Sequence, residues 1–233
     1  ADVHGESTPP RSVDGTTGSS TAIAAGAWHS CAIQAGTGAA VCWGADDHGE
    51  STPPPSVDGT TGTATAIAAG SERLHCRVKT ALWAPPEITS CDNYTHSCAI
   101  QAGTGAVVCW GDDHYGQSTP PASVDGTTGS ASAVAAGSRH SCAIQAGTGT
   151  VVCWGSNYIG PDLHSYTGQA TPPPSVDGTT GTASAIAAGY SQSCAIQTGT
   201  SAVVCWGSNY LFPQMSPPPS VDGTEGTATA IAG

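Results

Sequence analysis

Residues 31–44 read CAIQAGTGAAVCWG, and the same frame returns at 98–111, 142–155 and 194–207 with only a few letters changed. Each copy sets two cysteines eleven residues apart around a glycine-containing turn and closes with Trp-Gly. Alternating small and β-branched residues on both sides of such a turn read as a β-hairpin. With the turn centred on Gly36 and Thr37, Ile33 faces Ala40, Ala32 faces Val41 and Cys31 faces Cys42. Directly opposed residues of a non-hydrogen-bonded antiparallel pair lie within disulfide range. The register therefore predicts Cys31–Cys42, Cys98–Cys109, Cys142–Cys153 and Cys194–Cys205 bridges.

The other two cysteines, Cys76 and Cys91, fall in a segment that no other copy contains, and they are expected to close on each other. An even count that divides into local pairs is the mark of a disulfide framework formed in an oxidising compartment. Metal sites favour tighter C-x2-C pairs that converge, and none is present.

Between hairpins the tetrapeptide SVDG recurs at Ser12, Ser56, Ser123, Ser175 and Ser220, giving intervals of 44, 67, 52 and 45 residues. A base period near 44 is that of a propeller blade. Within a unit, TATAIAAG (63–70) is a further small-residue strand, and the STPPPSVDGTTG stretches are turn-rich connections that Pro keeps out of a central ladder. No helical periodicity is visible. The expectation is an all-β single repeat domain over 1–233, a β-propeller of four-stranded blades. Four blades would be complete, a fifth incomplete and split between the two ends, and each hairpin disulfide-stapled. Two segments break the period, 71–94 and 158–168.

Composition sets limits on function. Five Lys and Arg against seventeen Asp and Glu leave a net charge of −12, so no basic stripe for nucleic acid can be assembled. No apolar run approaches the ~18 residues of a membrane span. Leu, Ile, Val and Phe total thirty of 233 residues, a thin core for which the disulfides would compensate at about 3 kcal/mol each.

The succession AVCWGADDHGE, a Pro-rich connection, AIAAG and then WHSCAI resembles the repeat of the regulator of chromosome condensation family. The likeness covers nearly the whole chain except 71–93 and 159–166. It implies a β-propeller of four-stranded blades, usually seven in a closed ring. The cysteines, the acidity and the absence of basic tails depart from the nuclear members and argue against exchange-factor and chromatin roles. The chain is more similar to secreted bacterial members, some of which are protein-binding inhibitors.

Few residues offer chemistry. His29, His96 and His140 each precede Ser-Cys, with Gln192 in the fourth place; neighbouring strand residues point to opposite faces, so a structural histidine hydrogen-bonded between blades is expected rather than a catalytic base. Trp43, Trp110, Trp154 and Trp206 are expected as inter-blade wedges, the competing reading being a sugar platform. Asp14, Asp58, Asp125, Asp177 and Asp222 of the VDG motifs are weak Ca2+ candidates, set against the ordinary use of Asp-Gly in turns. No other cofactor is indicated. The insertion 71–94 holds Arg73, Arg77 and Lys79 beside Trp83, the candidate partner-contact surface, and Asn93 in a glycosylation triplet.

These features lead to a non-enzymatic, extracellular or cell-surface scaffold acting through protein contacts, with self-assembly as one form. The alternative is a soluble secreted binding module, either an enzyme inhibitor or a carbohydrate-binding propeller. Because ADVHGESTPP matches ADDHGESTPP (45–54) at nine of ten positions, and TATAIAG stops where His-Ser-Cys would follow, further repeats of a longer chain or other copies of this one are the expected partners.

Overall fold

The computed structural model describes residues 3–70, 75–79, 87–92, 94–159, 165–208 and 216–232; for 75–79, 87–92 and 159 it describes the backbone alone. Among these residues the regular structure is entirely β. The first blade joins β1 (Ser20–Ala25), β2 (His29–Gln34) and β3 (Ala40–Gly44) in that order. The second starts with β4 (Ala64–Ala69), which is followed by a separate hairpin of β5 (His75–Lys79) and β6 (Glu87–Asp92). It is completed by β7 (His96–Gln101) and β8 (Val107–Gly111). The third is β9 (Ala131–Ala136), β10 (His140–Gln145) and β11 (Val151–Gly155). A short ribbon of β12 (Tyr158–Ile159) and β13 (Ser165–Tyr166) follows it. The fourth is β14 (Ala183–Ala188), β15 (Gln192–Gln197) and β16 (Val203–Gly207). All pairings within blades are antiparallel.

The hairpins adopt the register that the cysteines predict. Cys31 faces Cys42, Ala32 faces Val41 and Ile33 faces Ala40. The N–H of Ala40 points outward and donates to the Val57 carbonyl at 2.8 Å, so the 33/40 and 31/42 pairs are the non-hydrogen-bonded, closer kind. Disulfides join Cys31–Cys42, Cys98–Cys109, Cys142–Cys153 and Cys194–Cys205, with Cα atoms 4.0–4.1 Å apart. Cys76 and Cys91 face each other in the β5–β6 ladder; their side chains lie outside the described residues.

Each described blade has three strands rather than the expected four. The segment available for an outer strand is the Pro-rich connection, which turns on itself: Val57 N–H donates to Pro54 O, and Gly59 N–H to Gly62 O. What remains of a fourth strand is one carbonyl per blade, that of Val57, Val124, Val176 or Val221, accepting from the edge of β3, β8, β11 or β16. Pro cannot donate to a ladder, and successive prolines hold the chain in a turn. Residues 228–232 (ATAIA) repeat the first five residues of β4, yet among the described residues no strand pairs with them.

The core lies between blades rather than within them. Cys31, Ile33 and Ala40 of the first blade meet Ala64, Ala99 and Trp110 of the second, with Val57 sealed in the seam. The same set recurs around Val124 and around Val176. At the inner end, a Cβ on Gly26, Gly70 or Gly137 would stand 2.5–2.6 Å from the carbonyl of the next blade's glycine, so only glycine permits this spacing. Removing one staple by Cys98→Ala with Cys109→Ala is expected to cost about 3 kcal/mol, read as a fall in the denaturant midpoint with a slope that is the same or slightly steeper, because the unfolded chain loses a cross-link.

Candidate functional site

The repeated polar residues converge on the seams. His29 Nε2 lies 2.8 Å from Ser97 Oγ, His96 Nε2 2.7 Å from Ser141 Oγ, and His140 Nε2 2.8 Å from Ser193 Oγ. Each imidazole thus reaches the serine of the following blade, not the serine beside it in sequence. Ser97 Oγ donates onward to the Glu50 carbonyl at 3.1 Å, and Trp110 Nε1 donates to that same oxygen at 2.9 Å. Gln117 O receives Ser141 and Trp154 in the same way, and Gln169 O receives Ser193 and Trp206.

This network assigns the tautomer. A serine whose proton is committed to a carbonyl can only accept from the ring, so Nε2 carries the hydrogen and Nδ1 is bare. The Nδ1 atoms of His29, His96 and His140 are buried without a partner, and burial disfavours the imidazolium. Burial lowers His96 to about 3 and His140 to about 4. It also lowers His29, against the opposing pull of Glu50 and Asp46. These groups are neutral structural donors with no exposed nitrogen to offer a substrate.

The tryptophans follow suit: Trp110, Trp154 and Trp206 are 7–8 % exposed, so the inter-blade reading applies and no aromatic platform is formed by them. The Gly after each has a positive φ of 96–117° from Gly44 to Gly207, and a Cβ there would sit 2.5–2.8 Å from the carbonyl of the residue before His or Gln. The Trp-Gly pair is therefore a steric requirement of the hairpin's open end.

The five VDG carboxylates are turn acceptors. Asp14, Asp58, Asp125, Asp177 and Asp222 each take the backbone N–H of the threonine two residues on, at 2.6–2.8 Å. Hydrogen bonds from that threonine hold Asp14, Asp125, Asp177 and Asp222 below the usual carboxylate range. They recur once per VDG motif, five motifs to four blades; among the described residues no three His, Cys, Asp or Glu side chains form a metal-holding group.

The aperiodic residues gather elsewhere. Loops from the first to the second strand of a blade, and loops leaving the third, emerge at the same end of each antiparallel sheet. Both period breaks occur in such loops and so share one face. There the Arg139 guanidinium, 4 % exposed, lies 5.0 Å from the Tyr94 ring centre and 4.7 Å from that of Tyr115. His114 packs against both tyrosines, His4 meets Trp28 edge-on, and exposed Tyr158 and Tyr166 meet at 5.5 Å. Of the contact candidates, Arg77 and Lys79 fall on β5, with only their backbone described; Arg73, Trp83 and Asn93 lie outside the described residues. Sequence reading missed Glu50, Gln117 and Gln169, whose carbonyls anchor the seams; the recurrence of Gly-Glu/Gln at 49–50, 116–117 and 168–169 was the available signal.

Residues 131–158 match the Regulator of chromosome condensation (RCC1) repeat. No curated protein matches the chain in sequence. Among solved structures, the entire ectodomain of the receptor kinase CR4 of Physcomitrella patens has a TM-score of 0.59 at 22 % identity, over 88 % of this chain and 45 % of that one. The CRINKLY WD40 ectodomain of the Arabidopsis thaliana receptor kinase ACR4 gives 0.55 at 23 %, over 84 % and 52 %. Yeast RCC1 (Prp20), crystallised with Kap60 bound, gives 0.50 at 16 %, over 82 % and 44 %. The chain spans about half the length of these structures, and the likeness is one of fold: a β-propeller of the RCC1-like type.

Acid is expected to weaken the seams. Unfolded histidines titrate near 6.5 and folded His96 and His140 well below it, so the stability these two contribute is full above about pH 6.5. It falls as the pH drops toward 4, by about 1.4 kcal/mol per pH unit for each histidine. Denaturant titrations from pH 7.5 to 4.5 check this, and His140→Gln, copying the native residue at 192, should reduce the pH slope by about one proton.

Proposed function

We propose that this chain, which carries the RCC1-type repeat, is a non-catalytic protein-binding propeller that works outside the cell, using the face on which both insertions emerge. The observation that carries this reading is a division of labour. The repeated His, Ser, Trp and Cys side chains are consumed in holding blade to blade, whereas the residues that break the repeat collect at one end. Irregular loops on a rigid repeat scaffold are where such proteins place recognition.

Four hairpin disulfides suit an oxidising environment. Among the structural neighbours, two are receptor-kinase ectodomains and one is seen with a protein bound. In the insertion, Arg73, Arg77 and Lys79 concentrate positive charge in a chain of net charge −12, so the partner is an acidic protein surface and the contact weakens with salt. Calcium at the VDG loops is not needed by this reading. The exposed Tyr158–Tyr166 pair favours, as a second reading, a soluble binder of another protein or a glycan through the same face.

Lys79 is the sole lysine of the chain, which makes the test selective. An amine-reactive cross-linker applied to the protein in its native extracellular fraction should join a partner at Lys79. Replacing 71–94 by a short Gly-Ser turn should abolish the adduct while leaving the thermal midpoint within a few degrees. A partner still held after that replacement removes the insertion from the contact, and a wholly intracellular, reduced protein removes the extracellular reading.

A further inference from the structure

None of the four hairpin frames contains tyrosine, yet the five described tyrosines form one contiguous group. Tyr94 and Tyr115 meet edge-on at 5.3 Å, and the Arg139 guanidinium lies over both rings. Arg139 also lines a narrow cleft with Ser138, Tyr158, Gln169 and Tyr190, and Tyr158 meets Tyr166 in turn. One cation is thus shared by loops of the second, third and fourth blades and by the β12–β13 ribbon. Ser138, Arg139 and Gln169 are 2, 4 and 1 % exposed, whereas Tyr158 and Tyr166, at 38 and 62 %, offer ring surface to solvent.

A guanidinium held against two rings has its rotamers fixed when the protein folds, so the ordering cost at binding is lowered. The cation–π contacts use its charge but none of its five N–H donors. Those donors form a rigid fork that matches a carboxylate, most strongly where water is excluded. Tyrosine adds rigid amphipathic area with only two torsions to fix. Tyr and Arg are also enriched among the residues that carry the energy of protein contacts.

The charge of the surroundings points to an anion. Arg73, Arg77 and Lys79 belong to the insertion that ends at Tyr94, so four of the five cations of the chain fall in that insertion or at Arg139. The carboxylates of the loop bearing Tyr115 are engaged: Asp112 accepts from Gln117 Nε2 and the His114 N–H, and Asp113 from the Ser118 N–H and Thr119 Oγ1.

We propose that the Arg139 cluster is the anchor of the binding face: the recessed guanidinium takes the carboxylate of one Asp or Glu side chain of the partner protein, and apolar residues beside that side chain pack on Tyr158 and Tyr166. The proposal rests on the reading of the chain as a protein-binding propeller, and assigns it a central contact other than the cations of 71–94.

Random peptides displayed on phage and selected on the oxidised protein supply the probe. Enriched sequences are expected to share one Asp or Glu beside apolar residues, and a synthetic peptide of that sequence should bind less tightly as salt is raised. Replacing the peptide's carboxylate by its amide, or Arg139→Lys in the protein, should each weaken binding by about tenfold or more. The two together should cost little more than either alone, the signature of one shared contact. Tyr166→Ala, at an exposed position, should weaken binding several-fold and decides the matter even if Arg139→Lys does not fold. Selected peptides that lack a carboxylate, or that bind either variant as tightly as the parent protein, overturn the anchor and leave the propeller a protein binder. A selection that enriches no peptide also overturns it, and retention of a uronate-bearing oligosaccharide by the same protein then overturns the protein-binding reading as well.

Discussion

One chain of hydrogen bonds holds each blade to the next: imidazole to serine, serine to a main-chain carbonyl, and indole to that same carbonyl. Buried and fully satisfied at the serine and the carbonyl, it is worth more than the ~1 kcal/mol of an average hydrogen bond, because breaking any link leaves a desolvated group behind. It also sets the spacing of the blades. The histidine ring lies on a glycine near the axis, and the glycine carbonyl of the neighbouring blade presses on the same point. No larger residue fits, so the innermost layer is limited to Gly and Ala.

That limit explains the composition. A propeller whose inner strands read AIAAG buries little area per residue, and hydrophobic stabilisation scales with area. The remaining work falls to one Trp per blade and to a disulfide across the mouth of each hairpin. The bridge acts twice: it restricts the unfolded chain, and its sulfur packs in the seam, with Cys31 Sγ 3.5 Å from Ser97 Oγ. Stability and inter-blade order are therefore one feature, and the neutral buried histidines tie both to pH.

The same commitment confines recognition to what is left over. Carboxylates of the VDG loops serve their own turns, tryptophans serve the seams, and among the described residues Arg139, Tyr94, His114 and Tyr115 gather at one end of the blades, where Arg139 lies between the two tyrosines. Glu6, Ser30 and Trp43 already hold the arrangement that Glu50, Ser97 and Trp110 adopt beneath a neighbouring blade.

Hairpin register, disulfide pairing within units, the blade period and the structural use of histidine and tryptophan were legible because each follows from local spacing repeated four times. Opposed cysteines and a two-residue turn leave one register. The strand count was not, since the period allows four strands and only the folded chain shows the prolines turning away after a single carbonyl contact. Nor was the partner of each histidine: the serine adjacent in sequence points to the opposite face, and the one it bonds lies 45 to 68 residues further along. The sequence by itself determined the unit, because a unit is made of near neighbours. Which side chains meet across a seam only the tertiary structure decided, because those contacts depend on how one sheet is rotated onto the next.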